Sequence, residues 1–520
     1  MSVTARADRA QDRSQRRRRS RRATAATPQA DPARARARNG IPRDPDLNDP
    51  LPKRLLTNKL SWLTVVMLAV YATALVLLYR QVVPDQEVPG GTIPGLGTEA
   101  VPIALRYAAI TAVPLSLLYL WADRFRPQRV WVWLMTFGWG ACVATFISAQ
   151  VNTWAAGYLS IAGDGDPATG PRAAIFVAPF VEEAAKATVL FWLAILMRYQ
   201  WVSRLSGIVL AGLAGAAFAF TENVLYYGRA YRYAARTFGQ VPPLEALQQL
   251  FQLRGLMTFF GHPLFTSMTG IGLAVALRSK SKIVRIVAPL AGFCAASFLH
   301  MAFNTTASLV QGRNLLIIYL TVAVPLVIGM IIFIVRQLFR EGRLIRERLT
   351  DYVRVGWLPE GEPQSVSRLR TRARALWHAL FISPGAFLAT LRMQRAITEL
   401  AYLRDAMTRG LIDQAGLDRE KVLLARTRAL RAQAVIQPEG RAAYPSLRRR
   451  VTQLASYPAP SYPGPAGLGG SYPAPTAFPP PAFPPPAGAV PGVASAATIP
   501  LGQTATQYSE VDPSWKPPGS

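Results

Sequence analysis

Eight apolar windows, each about 20 residues long, constrain this chain more than any other feature; they fall at roughly 60–80, 101–121, 130–149, 172–197, 205–227, 253–277, 285–306 and 314–337. A helix of that length crosses the hydrocarbon layer while satisfying its own backbone hydrogen bonds, which lipid cannot do. The expectation is an all-α, polytopic membrane helical bundle of about eight transmembrane helices with disordered tails. Four regions follow: a basic, disordered cytoplasmic tail over 1–56, a transmembrane core over 57–340, a basic helical cytoplasmic region over 341–450, and a Pro/Tyr-rich disordered tail over 451–520.

The net charge of +29 is unevenly distributed, and its distribution orients the chain. With the Arg-rich N-terminus ("QRRRRSRR") inside, the loops "ADRFRPQR", "MRYQWVSR" and "RSKSKIVR" also fall inside, as the positive-inside rule requires. An even number of spans returns the C-terminus to the same side, so both termini are expected in the cytoplasm of a multi-pass cell-membrane protein. One outer segment breaks the rule, because it carries Arg229, Arg232 and Arg236. No nucleic-acid recognition motif is present, and attraction to the anionic leaflet of the lipid bilayer accounts for the remaining basic charge. The repeated "SYPAP" and "AFPPPAFPPPAG" favour extended polyproline conformations and suit a tether or a cytoplasmic partner's docking segment. A ninth crossing at "ALWHALFISPGAFLATL" is disfavoured, since Pro384 and Gly385 split an already short run. Cys142 and Cys294 lie in separate windows without metal-type spacing and read as buried thiols.

An ionised side chain at the bilayer centre costs at least about 2.5 kcal/mol on insertion scales, so each one is a functional candidate. Four consecutive windows carry them or comparable polar groups: Glu182, Glu183 and Lys186 in "FVEEAAKATVLF", Glu222 and Asn223 in "FAFTENVLYY", His262 in "FFGHPLFTSMTG", and His300 with Asn304 in "SFLHMAFNTT". Residues four apart share a helix face, which aligns Glu182 with Lys186, Phe218 with Glu222, His262 with Thr266 and His300 with Asn304. At about 1.5 Å per residue, Glu182 lies roughly 15 Å, His262 12 Å, Glu222 8 Å and His300 6–12 Å below the outer end of its window, so all four reach similar depth. Gly212 and Gly215 read as close-packing positions between helices.

Carboxylates and imidazoles in a low-dielectric cavity suit activation of water, with one of two adjacent glutamates as base and the other as acid or orienting group. Lys186 could pair with a glutamate, and the histidines could bind a divalent metal, stabilise an oxyanion, or both. Neither H-E-x-x-H nor G-x-S-x-G is present. A structural reading stays open, in which Glu183 and Lys186 form a buried ion pair that fixes helix register.

The series E-E-x-x-K (Glu182, Glu183, Lys186), F-x-x-x-E-N (Phe218, Glu222, Asn223), H-x-x-x-T (His262) and H-x-x-x-N (His300, Asn304) resembles the PrsW family of intramembrane proteases, relatives of the CAAX-processing proteases and the APH-1 group. The resemblance covers roughly 57–340. It implies site-1-type cleavage of membrane-anchored protein substrates such as anti-sigma factors, by Glu-activated water and with a divalent metal such as zinc as an optional cofactor. The implied catalytic residues are Glu182, Glu183 and His262, then His300, with Glu222 and Asn223; Lys186, Asn304 and Phe218 support them, and His262, His300 and Glu222 are the candidate metal ligands. A non-catalytic membrane scaffold and a proton-coupled transporter are the alternatives. The transporter would show internal repeats or broken spans in matching halves, and none is evident.

Overall fold

A computed structural model describes residues 32–41, 50–88, 91–161, 172–201, 203–236, 241–413 and 415–436. The first 31 residues, residues 162–171 and everything from 437 on, including the Pro/Tyr-rich tail, lie outside the described residues. Two compact units emerge: one comprises residues up to Asp123, Gln128–Ile331 and Ile412–Arg419, the other Arg124–Pro127, Ile332–Leu411 and the chain from Glu420.

The described architecture is helical apart from one small antiparallel hairpin. Helix α1 (Pro32–Asn39) lies inside the stretch expected to be disordered; Asn39 and Arg38 tie it to Asp413, with Asn39 Nδ2 donating to Oδ1 of Asp413 over 2.6 Å. A short α2 (Leu51–Thr57) leads into α3 (Lys59–Val82), after which β1 (Gln86–Val88) pairs with β2 (Gly91–Ile93). The hairpin is pinned by Asp85, which accepts from the Gly95 N–H at 2.8 Å. Then come α4 (Gly97–Ala122), α5 (Val130–Gly138) and, through a π-helical turn at Trp139–Ala144, α6 (Thr145–Ile161). A second π turn (Ala173–Val177) opens α7 (Ala178–Leu196), followed by the long α8 (Arg204–Arg236) and the short α9 (Pro243–Leu250). A third π turn (Phe251–Met257) precedes α10 (Gly261–Leu277), and α11 (Lys282–Leu309) follows it. Helix α12 (Gly312–Ile318) continues through a fourth π turn (Tyr319–Ala323) into α13 (Val324–Arg354).

Among the described residues seven helices are long and apolar enough to span a membrane: Ser61–Val82, Gly97–Ala122, Val130–Ala156, Arg204–Arg236, Pro243–Leu277, Lys282–Leu309 and Gly312–Arg354. The fourth expected window is present as the helical stretch from Ala173 to Leu196, but Glu182, Glu183 and Lys186 make it too charged to qualify by composition. Packing is of membrane type, with branched side chains such as Ile195, Ile283 and Leu117 facing outward and small residues inward. Ala100, Ala104, Ala108, Ala112 and Ser116 recur every fourth position and bury one stripe of α4. Glycines permit the closest approaches: a Cβ on Gly207 would stand 2.1 Å from the Gly270 carbonyl oxygen, and one on Gly212 would meet the Tyr119 ring at 2.2 Å. Cys142 is buried as expected, whereas Cys294 is exposed, on the outward face of α11 that also carries the exposed Leu290 and Phe298.

In the second unit lie α14 (Glu362–Ser367), α15 (Leu369–Ile382), α16 (Pro384–Thr408) and, from Glu420 on, the rest of α17 (Ala415–Arg431). The stretch disfavoured as a ninth crossing is broken at Ser383, whose hydroxyl caps α16 by accepting from the Ala386 N–H at 3.0 Å. Arg431 makes a two-point ion pair with Glu362, at 2.7 and 2.9 Å.

Candidate functional site

The two adjacent glutamates of α7 point to different partners, because successive residues on a helix are rotated by about 100°. Glu183 is saturated. Its Oε1 lies 2.7 Å from Lys186 Nζ and 3.2 Å from His300 Nδ1, and its Oε2 accepts from the Thr266 hydroxyl at 2.8 Å. Glu182 is only half satisfied: Oε1 accepts from Asn152 Nδ2 at 3.2 Å, while Oε2 is buried without a hydrogen-bond partner among the described residues. Around that orphan oxygen stand Lys186 Nζ at 3.7 Å, His300 Nε2 at 3.8 Å and His262 Nδ1 at 3.9 Å.

Both imidazoles are oriented by carboxylates on their far side. Lys186 can only donate, so its 3.0 Å contact makes His262 Nδ1 an acceptor and leaves the Nε2–H to donate to Glu222 Oε2 at 2.8 Å. His300 presents Nδ1 to Glu183 and so turns Nε2 toward Glu182. The two rings stand edge to face, with centroids 5.0 Å apart and planes 89° from parallel. Phe218 floors the cluster, with Lys186 Nζ 4.1 Å from its ring centre and the His262 ring at 5.1 Å.

Helix breaks and close approaches set these positions. His262 occupies the first turn of α10, after an irregular stretch at Thr258–Phe260 that interrupts the span. Gly215 lets α8 approach that point: a Cβ there would lie 2.6 Å from the His262 carbonyl oxygen. The π turns leave carbonyls for other helices to satisfy. Thr221 donates to Ala141 O at 2.7 Å, Asn304 to Ala174 O at 2.7 Å and Tyr319 to Met257 O at 3.1 Å. Asn304 therefore lines the cavity but holds a π turn and does not reach the glutamates.

Expected site residues thus divide. Glu182, Glu183, Lys186, His262, His300 and Phe218 converge, and Glu222 joins them through His262. Asn223 stands behind, accepting from Arg254 Nε at 3.1 Å. Arg254 itself was not among the expected residues; it also donates to Glu222 Oε2 at 2.7 Å and stacks 3.8 Å from the Tyr226 ring centre. An ionisable residue inside a membrane window was the signal for it, masked by its place at the window's edge, where basic flanks are ordinary. Asn152, an uncharged amide on α6, had no such signal. The cluster borders a cavity of about 340 Å³, whose wall includes Asn152, Glu182, Glu222, Arg254, His262 and His300.

Glu182, His262 and His300 offer ligand atoms that all lie within 4.8 Å of one another. One carboxylate and two imidazoles, each imidazole backed by a carboxylate, form a donor set that suits zinc in a hydrolytic site. Glu222, expected as a metal ligand, instead has its Oε2 shared by His262 and Arg254, and the converging carboxylate oxygen belongs to Glu182.

Residues 128–330 match the PrsW family intramembrane metalloprotease model. The PrsW match begins after the first two spans, so it is shorter than the expected 57–340, yet it contains every residue of the cluster. It supports a multi-pass membrane peptidase and is consistent with a divalent metal. No curated protein and no solved structure matches the chain.

Proposed function

We propose that this chain hydrolyses a peptide bond of membrane-anchored protein substrates, such as anti-sigma factors, within the bilayer, and that Glu182 is the general base. The observation that carries this reading is the buried Oε2 of Glu182, without a hydrogen-bond partner among the described residues and flanked by His300 Nε2 at 3.8 Å and His262 Nδ1 at 3.9 Å. A buried acceptor without a partner costs about 1–3 kcal/mol, and a water held there as the nucleophile would relieve that cost.

In this mechanism a substrate segment enters the cavity and places its scissile carbonyl beside Glu182. Water attacks the carbonyl carbon while its proton passes to Oε2; the tetrahedral intermediate then collapses, the C–N bond breaks, and the departing amine takes that proton. Lys186, fixed against Glu183, supplies positive charge next to the developing oxyanion. Glu183 and Glu222 keep the two imidazoles turned toward the reacting centre. In a metal-loaded protein Glu182, His262 and His300 would hold the ion, which would supply Lewis-acid polarisation and a more acidic water. Arg232 and Arg236, which break the positive-inside pattern, both face Asp85, at 3.7 and 2.8 Å, and this partial offset of their charge is compatible with the proposed orientation, both termini cytoplasmic.

The test is cleavage of single-span polypeptides by full-length protein in vesicles, with wild type and Glu182→Gln compared before and after exhaustive chelation. Activity should vanish in Glu182→Gln, and survival of wild-type activity after chelation selects the metal-free route. Undiminished cleavage by Glu182→Gln would sink the proposal.

A further inference from the structure

Of the three arginines that follow the core of α8, only Arg229 is left without an ion pair or hydrogen bond to the described residues, since Arg232 and Arg236 are taken by Asp85. Arg229 is exposed, and it borders the same cavity as Glu222 and Tyr226. Positions 222, 226 and 229 lie four and three apart, so they form one face of α8 looking onto that cavity. Two turns of helix separate Glu222 from Arg229, about 10 Å along the axis. An extended peptide rises about 3.3 Å per residue, so a substrate lying along this face meets Arg229 about three residues from the bond held at the cluster.

We propose that Arg229 is a specificity-determining residue that recognises a carboxylate side chain, Asp or Glu, about three residues from the scissile bond. The inference rests on the protease reading above. Arg254 cannot fill this role, because Glu222 and Asn223 already occupy its guanidinium. A planar guanidinium on a cavity rim, with its donors unpaired among the described residues, is matched to a carboxylate by charge and by two-point geometry.

Full-length protein is reconstituted in vesicles of fixed phosphatidylcholine and phosphatidylglycerol content, and the cleaved bond of a single-span polypeptide is mapped by mass spectrometry. Each flanking residue is then set in turn to Glu, Ala or Lys. At a position about three residues from the cleaved bond, Glu should raise kcat/KM about tenfold over Ala, chiefly through KM, and Lys should lower it. Arg229→Glu should invert that order in favour of Lys; should this variant misfold, the charge scan on wild type and on Arg229→Gln decides the matter. Cleavage indifferent to substrate charge, or an unchanged order in Arg229→Glu, overturns the proposal while leaving the protease reading intact. So does an Arg229 effect that follows phosphatidylglycerol content alone, which would assign the guanidinium to a lipid headgroup. Wild-type protein that cleaves none of the polypeptides removes the protease reading, and this proposal with it.

Discussion

Lys186 Nζ stands 2.7 Å from Oε1 of Glu183, and both side chains are wholly shielded from solvent. The neighbouring Glu182 has no comparable bond to the lysine, so two chemically identical residues have separate duties. Glu182→Gln should lower cleavage at least about 100-fold, the usual range for loss of a general base, with thermal unfolding in detergent unchanged. Glu183→Gln strips Lys186 of its counter-ion, and removing one partner of a buried pair costs about 3–5 kcal/mol, so this variant should lose thermal stability as well as activity. Equal melting behaviour of the two variants would contradict the assignment.

Metal binding has its own signature in elemental analysis of purified protein. Zinc retained by wild type should be lost in Glu182→Ala, His262→Ala and His300→Ala. In Glu222→Gln it should bind about 10–100-fold more weakly, since that residue orients His262 from behind. Zinc content that depends on Glu222 but not on Glu182 would reverse the ligand assignment.

Arg254 reaches the cluster only through Glu222, so its loss should act at a distance. Arg254→Ala frees Glu222 and lets His262 reorient, and kcat should fall about tenfold or more, with Arg254→Lys recovering part of it through charge without the two-point geometry. A pure rise in KM in Arg254→Ala would mark it as a substrate contact instead.

Packing and catalysis meet at Gly215. A methyl group there would press within 2.6 Å of backbone at His262, so Gly215→Ala should displace the imidazole from Glu222 and reduce cleavage more than it reduces melting temperature. Wild-type turnover in Gly215→Ala would show that the approach is slack.

Outside the spans, the Gly95 N–H and then the nearby Arg236 and Arg232 hold the Asp85 carboxyl below the usual aspartate range. A lowered folded pKa contributes stability that is fully present above the unfolded value of about 4 and disappears as pH falls through the folded one. Hydrogen-exchange protection of the hairpin and its Asp85 clamp should therefore be flat from about pH 5 upward and decline below about pH 4. Asp85→Asn should abolish that decline.

Much of the site is legible in the sequence because an ionisable residue in an apolar window is conspicuous, which is why Glu182, Glu222, His262 and His300 stand out at once. The division of labour between Glu182 and Glu183 is not legible, since only rotation about the helix and the later docking of Thr266 and His300 distinguish them. The irregular stretch before His262 shows no breaker within Thr258–Phe260 themselves, and the flanking Gly261 and Pro263 are the residues that mark it. Helix α1 escapes notice because its anchor, Asp413, lies far along the chain.

The placement of Lys186 three residues after Glu183 also bears on how the protein is made. These opposite charges share one helix and can neutralise each other as soon as that helix leaves the ribosome, before Thr266 and His300 have been synthesised. This charged membrane helix can thus enter the bilayer as a self-paired unit, while Glu182 has Asn152, already in place ahead of it, as a hydrogen-bond partner. The orphaned oxygen of Glu182 acquires its flanking imidazoles last, when α10 and α11 arrive, so a nascent chain is without a complete site until almost the whole bundle has been inserted.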